Sequence, residues 1–177
     1  MPRVKRITAA RHRVEQVLAL VLYVAIACAY FGSGLLPHPG RVVVGDQNAP
    51  IYIWSFGWWS HALTTWTNPL VSHALYAPYG VDLAWTPTAP GLAAIFSPLT
   101  LLIGPIASYN VASLLMLSIS AWTGYLLCGY LTRSTWAALV GGYLFGFSTA
   151  NLRQLSVGNL NLTAVFVFPL VALVVIR

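Results

Sequence analysis

Long apolar segments constrain the fold of this chain more than any other feature of its sequence. Of its 177 residues, 58% are hydrophobic and only 7% are charged, which is the composition of an integral membrane protein. A helix needs about 20 apolar residues to cross the hydrocarbon core of a bilayer. We therefore predict an all-α, polytopic membrane protein with about four transmembrane helices, at residues 15–36, 109–131, 134–150 and 162–176.

Basic residues concentrate in the N-terminal segment, residues 1–14. The whole chain has nine lysines and arginines against three acidic residues. Five of those nine precede the first predicted span: Arg3, Lys5, Arg6, Arg11 and Arg13. Such a cluster beside an apolar helix is the positive-inside signal, reinforced by anionic lipid headgroups. We therefore predict a multi-pass protein with a cytoplasmic N-terminus, whose partners are membrane lipids and not nucleic acid.

The segment between the first two spans, residues 37–108, is predicted to be a long extracytoplasmic loop. Within it, residues 90–104 are apolar but too short for an ordinary span, with Pro98 in the middle, so they either cross the membrane or form an interfacial helix. If they do not cross, Arg133 and Arg177 fall on the side of the basic N-terminus, as the positive-inside tendency favours. We therefore favour an interfacial helix over a fifth crossing.

With four crossings, the predicted loop at residues 151–161 lies on the same outer face as Asp46 and Asp82. These polar groups could then converge on one site. With five crossings that loop would be cytoplasmic and could not join the first.

A second interfacial helix is predicted in the long loop, at residues 51–66. Tryptophan prefers the headgroup level of a membrane, which suits a helix lying in the interface plane. A broad apolar arc contains Tyr52, Phe56, Trp58, Trp59, Ala62, Leu63 and Trp66, and a strip of polar or small residues contains Gly57, Ser60, His61 and Thr64.

Small residues recur one turn apart in the third predicted span, at Ala138, Gly142 and Gly146. Helix backbones approach closely where side chains are absent. This pattern predicts a helix-packing face.

Two of the three acidic residues, Asp46 and Asp82, lie in the long loop. A carboxylate is too costly for the bilayer core, so Asp46 is expected at or above the headgroups. There it is a candidate catalytic base, or a ligand for a divalent cation such as Mg or Mn. The alternative is a turn and N-cap before the helix that Pro50 begins. Asp82 is a candidate substrate-binding residue, and the alternative is a structural role in the turn at residues 78–82.

Arg153 is the leading candidate to bind a phosphate group, since guanidinium binds phosphate bidentately. Its alternative role is snorkelling to the headgroups. Gln154, Asn159 and Asn161 beside it are candidates to hydrogen-bond a polar ligand. His61, His73, Trp58 and Trp59 complete the candidate substrate-binding set, against the alternatives of solvated interfacial histidines and tryptophans of an aromatic belt.

The chain resembles the N-terminal part of a C-type (GT-C) membrane glycosyltransferase, the polytopic class that uses polyprenyl-phosphate-linked sugars. It is similar to bacterial, in particular actinobacterial, proteins grouped with that class. The resemblance covers nearly the whole chain through short motifs: Gly45-Asp46-Gln47-Asn48-Ala49-Pro50, Trp54, Trp58-Trp59, Asn68-Pro69, Ala77-Pro78-Tyr79-Gly80-Val81-Asp82-Leu83, Ser97-Pro98, Gly104-Pro105, Tyr109-Asn110, residues 141–148, and Gln154 with Gly158-Asn159-Leu160.

This resemblance implies sugar transfer from a polyprenyl-phosphate donor at the outer face of the bacterial cytoplasmic membrane. It implies a catalytic or metal-binding aspartate early in the first loop, which matches Asp46. The family's second loop often carries another acidic residue, whereas residues 151–161 contain Arg153 and Gln154 but no carboxylate. The family's membrane module has about seven spans, so we expect a fragment that is inactive alone and needs a C-terminal half or a partner subunit.

The alternative function is a non-catalytic membrane subunit or assembly protein that binds lipid or a partner. It predicts that Asp46→Asn leaves activity intact while Gly142→Leu disrupts assembly. The enzyme hypothesis predicts the reverse order of severity.

Overall fold

A computed structural model describes the backbone of residues 2–35 and 37–176, and the side chains of residues 13–35 and 37–176. The side chains of Arg3, Lys5, Arg6 and Arg11, and all of Arg177, lie outside this described part. The chain is all-α apart from one short strand pair. Its elements are α1 Pro2–Leu35, α2 Ala49–Thr65, β1 Val71–Ser72, β2 Val81–Asp82, a 3-10 helix Leu83–Trp85, α3 Pro90–Ile103, α4 Pro105–Thr132, α5 Thr135–Gly146, α6 Thr149–Val157, α7 Leu160–Thr163 and α8 Val167–Ile176.

Within the described residues, two helices are long and apolar enough to cross a membrane. They are the Arg13–Leu35 part of α1, with 23 residues, and α4, with 28 residues. The other two predicted spans occur as shorter helices, α5 with 12 residues and α8 with 10 residues. A count of about four spans is therefore not confirmed by the described residues.

Local polar contacts and a proline explain why these later helices are short. After α5, the Asn151 side-chain amide donates to the carbonyl oxygens of Phe145 and Gly146, each at 3.1 Å, which caps the end of α5. Pro169 lies in the first turn of α8, where its missing N–H group is tolerated. The segment predicted as a loop at residues 151–161 is instead largely helical, in α6 and α7.

The chain divides into two compact units, which we describe separately. The helical unit comprises Met1–Ser33, Leu114–Gln154 and Leu162–Arg177. The loop unit comprises Gly34–Ser113 and Leu155–Asn161.

In the helical unit, small residues let α5 pack closely on α4. Ala138, Gly142 and Gly146 are all buried. A Cβ atom on Gly142 would lie 2.6 Å from the carbonyl oxygen of Ala121, and one on Gly146 would lie 2.5 Å from the Ala121 nitrogen. These distances are too short for any side chain, so the predicted packing face is confirmed. The Tyr23 hydroxyl of α1 adds a 2.9 Å hydrogen bond to the carbonyl of Leu139.

In the loop unit, α2 and α3 pack against each other. Phe56 is fully buried, with its ring centroid 5.9 Å from that of Phe96 and 6.4 Å from that of Tyr109. The helices predicted at 51–66 and 90–104 occur as α2 and α3, and their place at the membrane interface stays a prediction. The predicted faces of α2 are right only in part, because Ser60 is buried with its hydroxyl donating to the Phe56 carbonyl at 2.7 Å. Trp66, placed in the apolar arc, is 94% exposed at the C-cap.

Candidate functional site

The Asp46 loop, residues 44–48, is held against residues 155–161 by a close backbone approach. Gly45 and Gly158 both have a φ of +91°, a conformation that glycine adopts without strain. A Cβ atom on Gly45 would lie 2.7 Å from the Gly158 Cα, and one on Gly158 would lie 2.5 Å from the Ala49 nitrogen. Only glycine at both positions allows these two segments to touch.

Asn110, near the start of α4, holds the chain that leads into the Asp46 loop. It is almost fully buried. Its amide nitrogen donates to the carbonyls of Pro39 at 2.9 Å and Val42 at 2.7 Å, and its carbonyl oxygen accepts from the Val44 backbone N–H at 2.9 Å. Three hydrogen bonds from one side chain therefore fix residues 39–44.

Asparagines of residues 155–161 fasten the other side of the loop. The Asn48 backbone N–H donates to the Val157 carbonyl at 3.0 Å, and the Asn48 amide donates to the Asn159 side-chain oxygen at 2.7 Å. The Tyr52 hydroxyl donates to the Asn161 side-chain oxygen at 2.5 Å. The side-chain oxygens of Asn159 and Asn161 are thus used within the protein, and the hydrogen bonds of these two residues to a polar ligand stay a prediction.

Burial changes the acidity of the Tyr52 hydroxyl. Its removal from water disfavours the phenolate and raises its pKa above the ordinary value, while a hydrogen bond with the Asn161 backbone, separate from the one to its side chain, acts in the opposite direction. Tyr52 is therefore a neutral hydrogen-bond donor at physiological pH. Its role is structural, since it joins α2 to the segment 155–161.

The Asp46 side chain is exposed on this fixed loop. The alternative was a turn and N-cap role. The turn is present at residues 46–49, but Asp46 does not cap α2, because the N-cap is Asn48, and that cap has no side-chain hydrogen bond. The Asp46 backbone carbonyl accepts from the Ala49 N–H at 3.3 Å. Among the side-chain hydrogen bonds of the described residues, none uses the Asp46 carboxylate, which leaves both oxygens free to accept a proton or bind a cation.

The donor set around Asp46 bears on the candidate cation. Within the described part of the chain, no three His, Cys, Asp or Glu side chains come together as a metal-binding group. Mg²⁺ in proteins often keeps several waters and is bound through one or two carboxylates and the phosphates of a substrate. Asp46 fits only that kind of site, in which the substrate supplies most of the ligands.

Asp82 is used differently. It pairs with Val71 in the antiparallel β1–β2 ladder and is the N-cap of the 3-10 helix. Its side-chain oxygen Oδ1 accepts from the Ala84 backbone N–H at 2.9 Å. This is the structural turn role that was the alternative to substrate binding.

Three of the remaining candidates line one open cleft of about 550 Å³: Trp58, His61 and His73. Trp59, next to Trp58 on α2, is half-buried and does not line that cleft; its indole N–H is buried and lacks a partner among the described residues. Arg153 and Gln154 lie on α6 in the part assigned to the helical unit, with Arg153 exposed and Gln154 half-buried. Their joint action with Asp46 stays a prediction.

The structural residues of this site were largely missed by sequence reasoning. Asn110 and Gly158 occurred only within short motifs, with no role assigned. The available signal was an amide side chain in the first turn of the apolar span predicted at 109–131, because a buried polar group needs partners.

No family model, no curated protein and no solved structure matches the chain.

Proposed function

We propose that this chain is the N-terminal portion of a membrane glycosyltransferase, which moves a sugar from a polyprenyl-phosphate donor to an acceptor at the outer face of a bacterial cytoplasmic membrane. The observation that carries the proposal is the state of Asp46. A carboxylate that caps no helix and has no side-chain hydrogen bond in the described structure is held on a loop fixed by Asn110, Asn48 and two glycines. Rigid presentation of an unused carboxylate suits a general base better than a side chain that stabilises its own turn.

In this proposal Asp46 removes a proton from the acceptor hydroxyl. The acceptor oxygen attacks the anomeric carbon of the sugar, and the bond from that carbon to the phosphate oxygen breaks. The electron pair leaves with the polyprenyl phosphate, and the configuration at the anomeric carbon is inverted. On the sequence alone, we assign the leaving phosphate to Arg153, whose guanidinium binds phosphate bidentately, with Gln154 as an added donor. As the alternative to the base role, Asp46 would bind a divalent cation, which would neutralise charge on the leaving phosphate.

The membrane location in the proposal is supported by the two helices of spanning length and by exposed aromatic residues. In the loop unit Trp66 is 94% exposed, Trp85 90% and Tyr79 91%. Tryptophan and tyrosine concentrate at the membrane–water interface, where the ring is buried and the polar edge stays wet. These side chains, more than the tryptophans of α2, suit contact with headgroups.

The alternative is a non-catalytic membrane subunit or assembly protein that binds lipid or a partner, and it predicts that Gly142→Leu, in the small-residue face of the third predicted span, disrupts assembly. That face packs on Ala121 of the same chain. It therefore gives no support for a partner helix.

The experiment that tests the proposal compares two aspartates in the native gene. We expect Asp46→Asn to reduce transfer about 100-fold or more, the usual range for loss of a general base. The matched control is Asp82→Asn, in which asparagine still caps the 3-10 helix, so transfer stays within about threefold. Transfer is measured in isolated membranes by mass spectrometry of the polyprenyl-phosphate-linked sugars and their products. Equal transfer by Asp46→Asn and wild type, at equal protein levels, would overturn the proposal.

A further inference from the structure

The cleft of the loop unit brings together aromatic and polar groups that the Asp46 loop does not contain. Its walls include Trp58 and His61 from α2, Thr67 and Asn68 from the segment that follows, and Val71 and His73 from the strand pair. The Trp58 indole N–H donates to the Pro69 carbonyl at 2.9 Å, which fastens that segment back onto α2. The cleft is therefore formed by the fold of residues 58–74 and needs no partner chain.

Two of the cleft's rings are fixed in place. The Trp58 indole is held by its hydrogen bond and by Trp54, whose ring stacks on it at 5.8 Å with the planes 4° apart. His73 lies against Gly80, where a Cβ atom would be 2.7 Å from the imidazole Nδ1. A site whose rings are already ordered loses little side-chain freedom when a ligand binds.

The polar groups of the cleft are suited to hydroxyl groups. The Asn68 side-chain oxygen accepts from the Leu70 N–H at 3.0 Å, which leaves its amide N–H groups as donors. The imidazoles of His61 and His73 and the Thr67 hydroxyl each donate and accept. No lysine, arginine, aspartate or glutamate is among the described residues that line the cleft. A neutral ligand with several hydroxyls fits this set better than a phosphate or a carboxylate.

We propose that this cleft binds the pyranose ring of a neutral saccharide. The apolar C–H face of a pyranose packs on the aromatic surface that Trp58 and His61 form together, their ring centroids 5.8 Å apart and their planes tilted by 43°. The ring hydroxyls bond to the side chains of His61, Asn68 and His73. The inference rests on the proposed function, which supplies a sugar-bearing substrate. The saccharide is either the sugar of the donor or the sugar of the acceptor.

The test measures saccharide binding by saturation-transfer NMR with the protein in lipid nanodiscs. Alkyl glycoside detergents are avoided because their sugar headgroups would compete. The probes are methyl α-mannoside and methyl α-glucoside, with inorganic phosphate in parallel. We expect wild type to bind a methyl glycoside, and His61→Ala to weaken that binding about three- to tenfold, the range for one lost neutral hydrogen bond. Trp58→Phe, which keeps an aromatic ring, should weaken it as well.

The matched control is His38→Ala, since His38 is another exposed histidine of the loop unit and does not line the cleft. It should bind the glycoside as wild type does. Competition with a polyprenyl-phosphate-linked sugar distinguishes the two sources. Displacement of the glycoside assigns the cleft to the donor's sugar, and no displacement assigns it to the acceptor.

Three results would overturn the proposal. They are no glycoside binding by wild type at tens of millimolar, binding of phosphate but not of glycoside, or wild-type binding by folded His61→Ala and Trp58→Phe. Its failure is separable from that of the proposed function through Asp46→Asn. If that variant keeps wild-type transfer while glycoside binding depends on His61, the cleft assignment stands and the base assignment falls. If that variant loses transfer and wild type binds no glycoside, the base assignment stands and the cleft assignment falls.

Discussion

The two aspartates of the loop unit lie in turns of similar composition and are held in opposite ways. The Asp82 carboxylate accepts a hydrogen bond from the nearby Ala84 N–H. The backbone beside it bonds within the same strand-pair region, where the Leu83 N–H donates to the Leu70 carbonyl at 2.7 Å. The Asp46 loop is held by residues more than 60 positions away, Asn110 and Asn159 among them, while its carboxylate caps nothing. The contacts thus distinguish a turn whose carboxylate is needed for structure from a turn whose carboxylate is free. The sequence does not.

The largest expected effect on stability comes from breaking the close backbone contact between Gly158 and Ala49, which holds the Asp46 loop. Gly158→Ala should lower the free energy of unfolding by about 2–4 kcal/mol, because an alanine must adopt the left-handed conformation and its Cβ would lie 2.5 Å from the Ala49 nitrogen. Chemical denaturation followed by circular dichroism measures this. Gly40→Ala is the control, since a Cβ there meets nothing within 4 Å, and should change stability by less than about 0.5 kcal/mol. Equal effects would mean that the close approach is absent.

The second prediction compares the asparagines that serve the two regions. Asn110→Ala should cost about 2–4 kcal/mol, because it removes three hydrogen bonds and leaves a buried Val44 N–H without a partner. Asn68→Ala, near the strand pair, removes one exposed bond to the Leu70 N–H and should cost less than about 1 kcal/mol. The same denaturation experiment measures both. If Asn68→Ala proves the more damaging, the Asp46 loop does not depend on distant contacts.

The third prediction uses the pH dependence of stability. Tyr52→Phe should cost about 1 kcal/mol at neutral pH through the lost bond to Asn161. The pKa of Tyr52 is raised in the folded protein, so the stability that its neutral form contributes is complete below the unfolded pKa of about 10 and is lost as the pH rises through the folded value. The difference between wild type and Tyr52→Phe should therefore shrink above pH of about 10. A difference that is constant up to pH of about 12 would show that the hydroxyl is not buried.

How much of this could be predicted from the sequence depends on the range of the contacts. The helices at 51–66 and 90–104 were found because prolines and apolar runs bound them locally, and the Asp82 turn role was weighed for the same reason. The small-residue face was also found, because its spacing is a property of one helix.

The partners of the Asp46 loop were beyond sequence reasoning. Nothing in residues 44–48 indicates that Asn159 or Gly158, over 100 positions later, would lie against them. His61 and His73 line one cleft because of how the chain turns at Trp66. Trp66 has a left-handed φ of 56°, which is uncommon for a residue other than glycine and could not be predicted from the sequence. Span lengths failed for a further reason, since a capping side chain such as Asn151 ends an apolar helix early.

The smallest expected effects come from the aspartates themselves, and their order is the sharpest test of the comparison. Asp82→Ala should lower the free energy of unfolding by about 0.5–1 kcal/mol, because the Ala84 N–H loses its cap. Asp82→Asn should cost less, since asparagine also caps. Asp46→Ala should change stability by less than about 0.5 kcal/mol, because its exposed carboxylate stabilises nothing in the described structure.

The stability measurements for these three variants are made in the same nanodiscs, so that their small differences are comparable. A cost for Asp46→Ala that equals or exceeds that of Asp82→Ala would mean that the Asp46 carboxylate holds its own loop. The loss of transfer in Asp46→Asn would then have a structural cause. The predicted order makes Asp82 important for stability and Asp46 only for transfer, which a carboxylate that holds the turn at position 46 cannot produce.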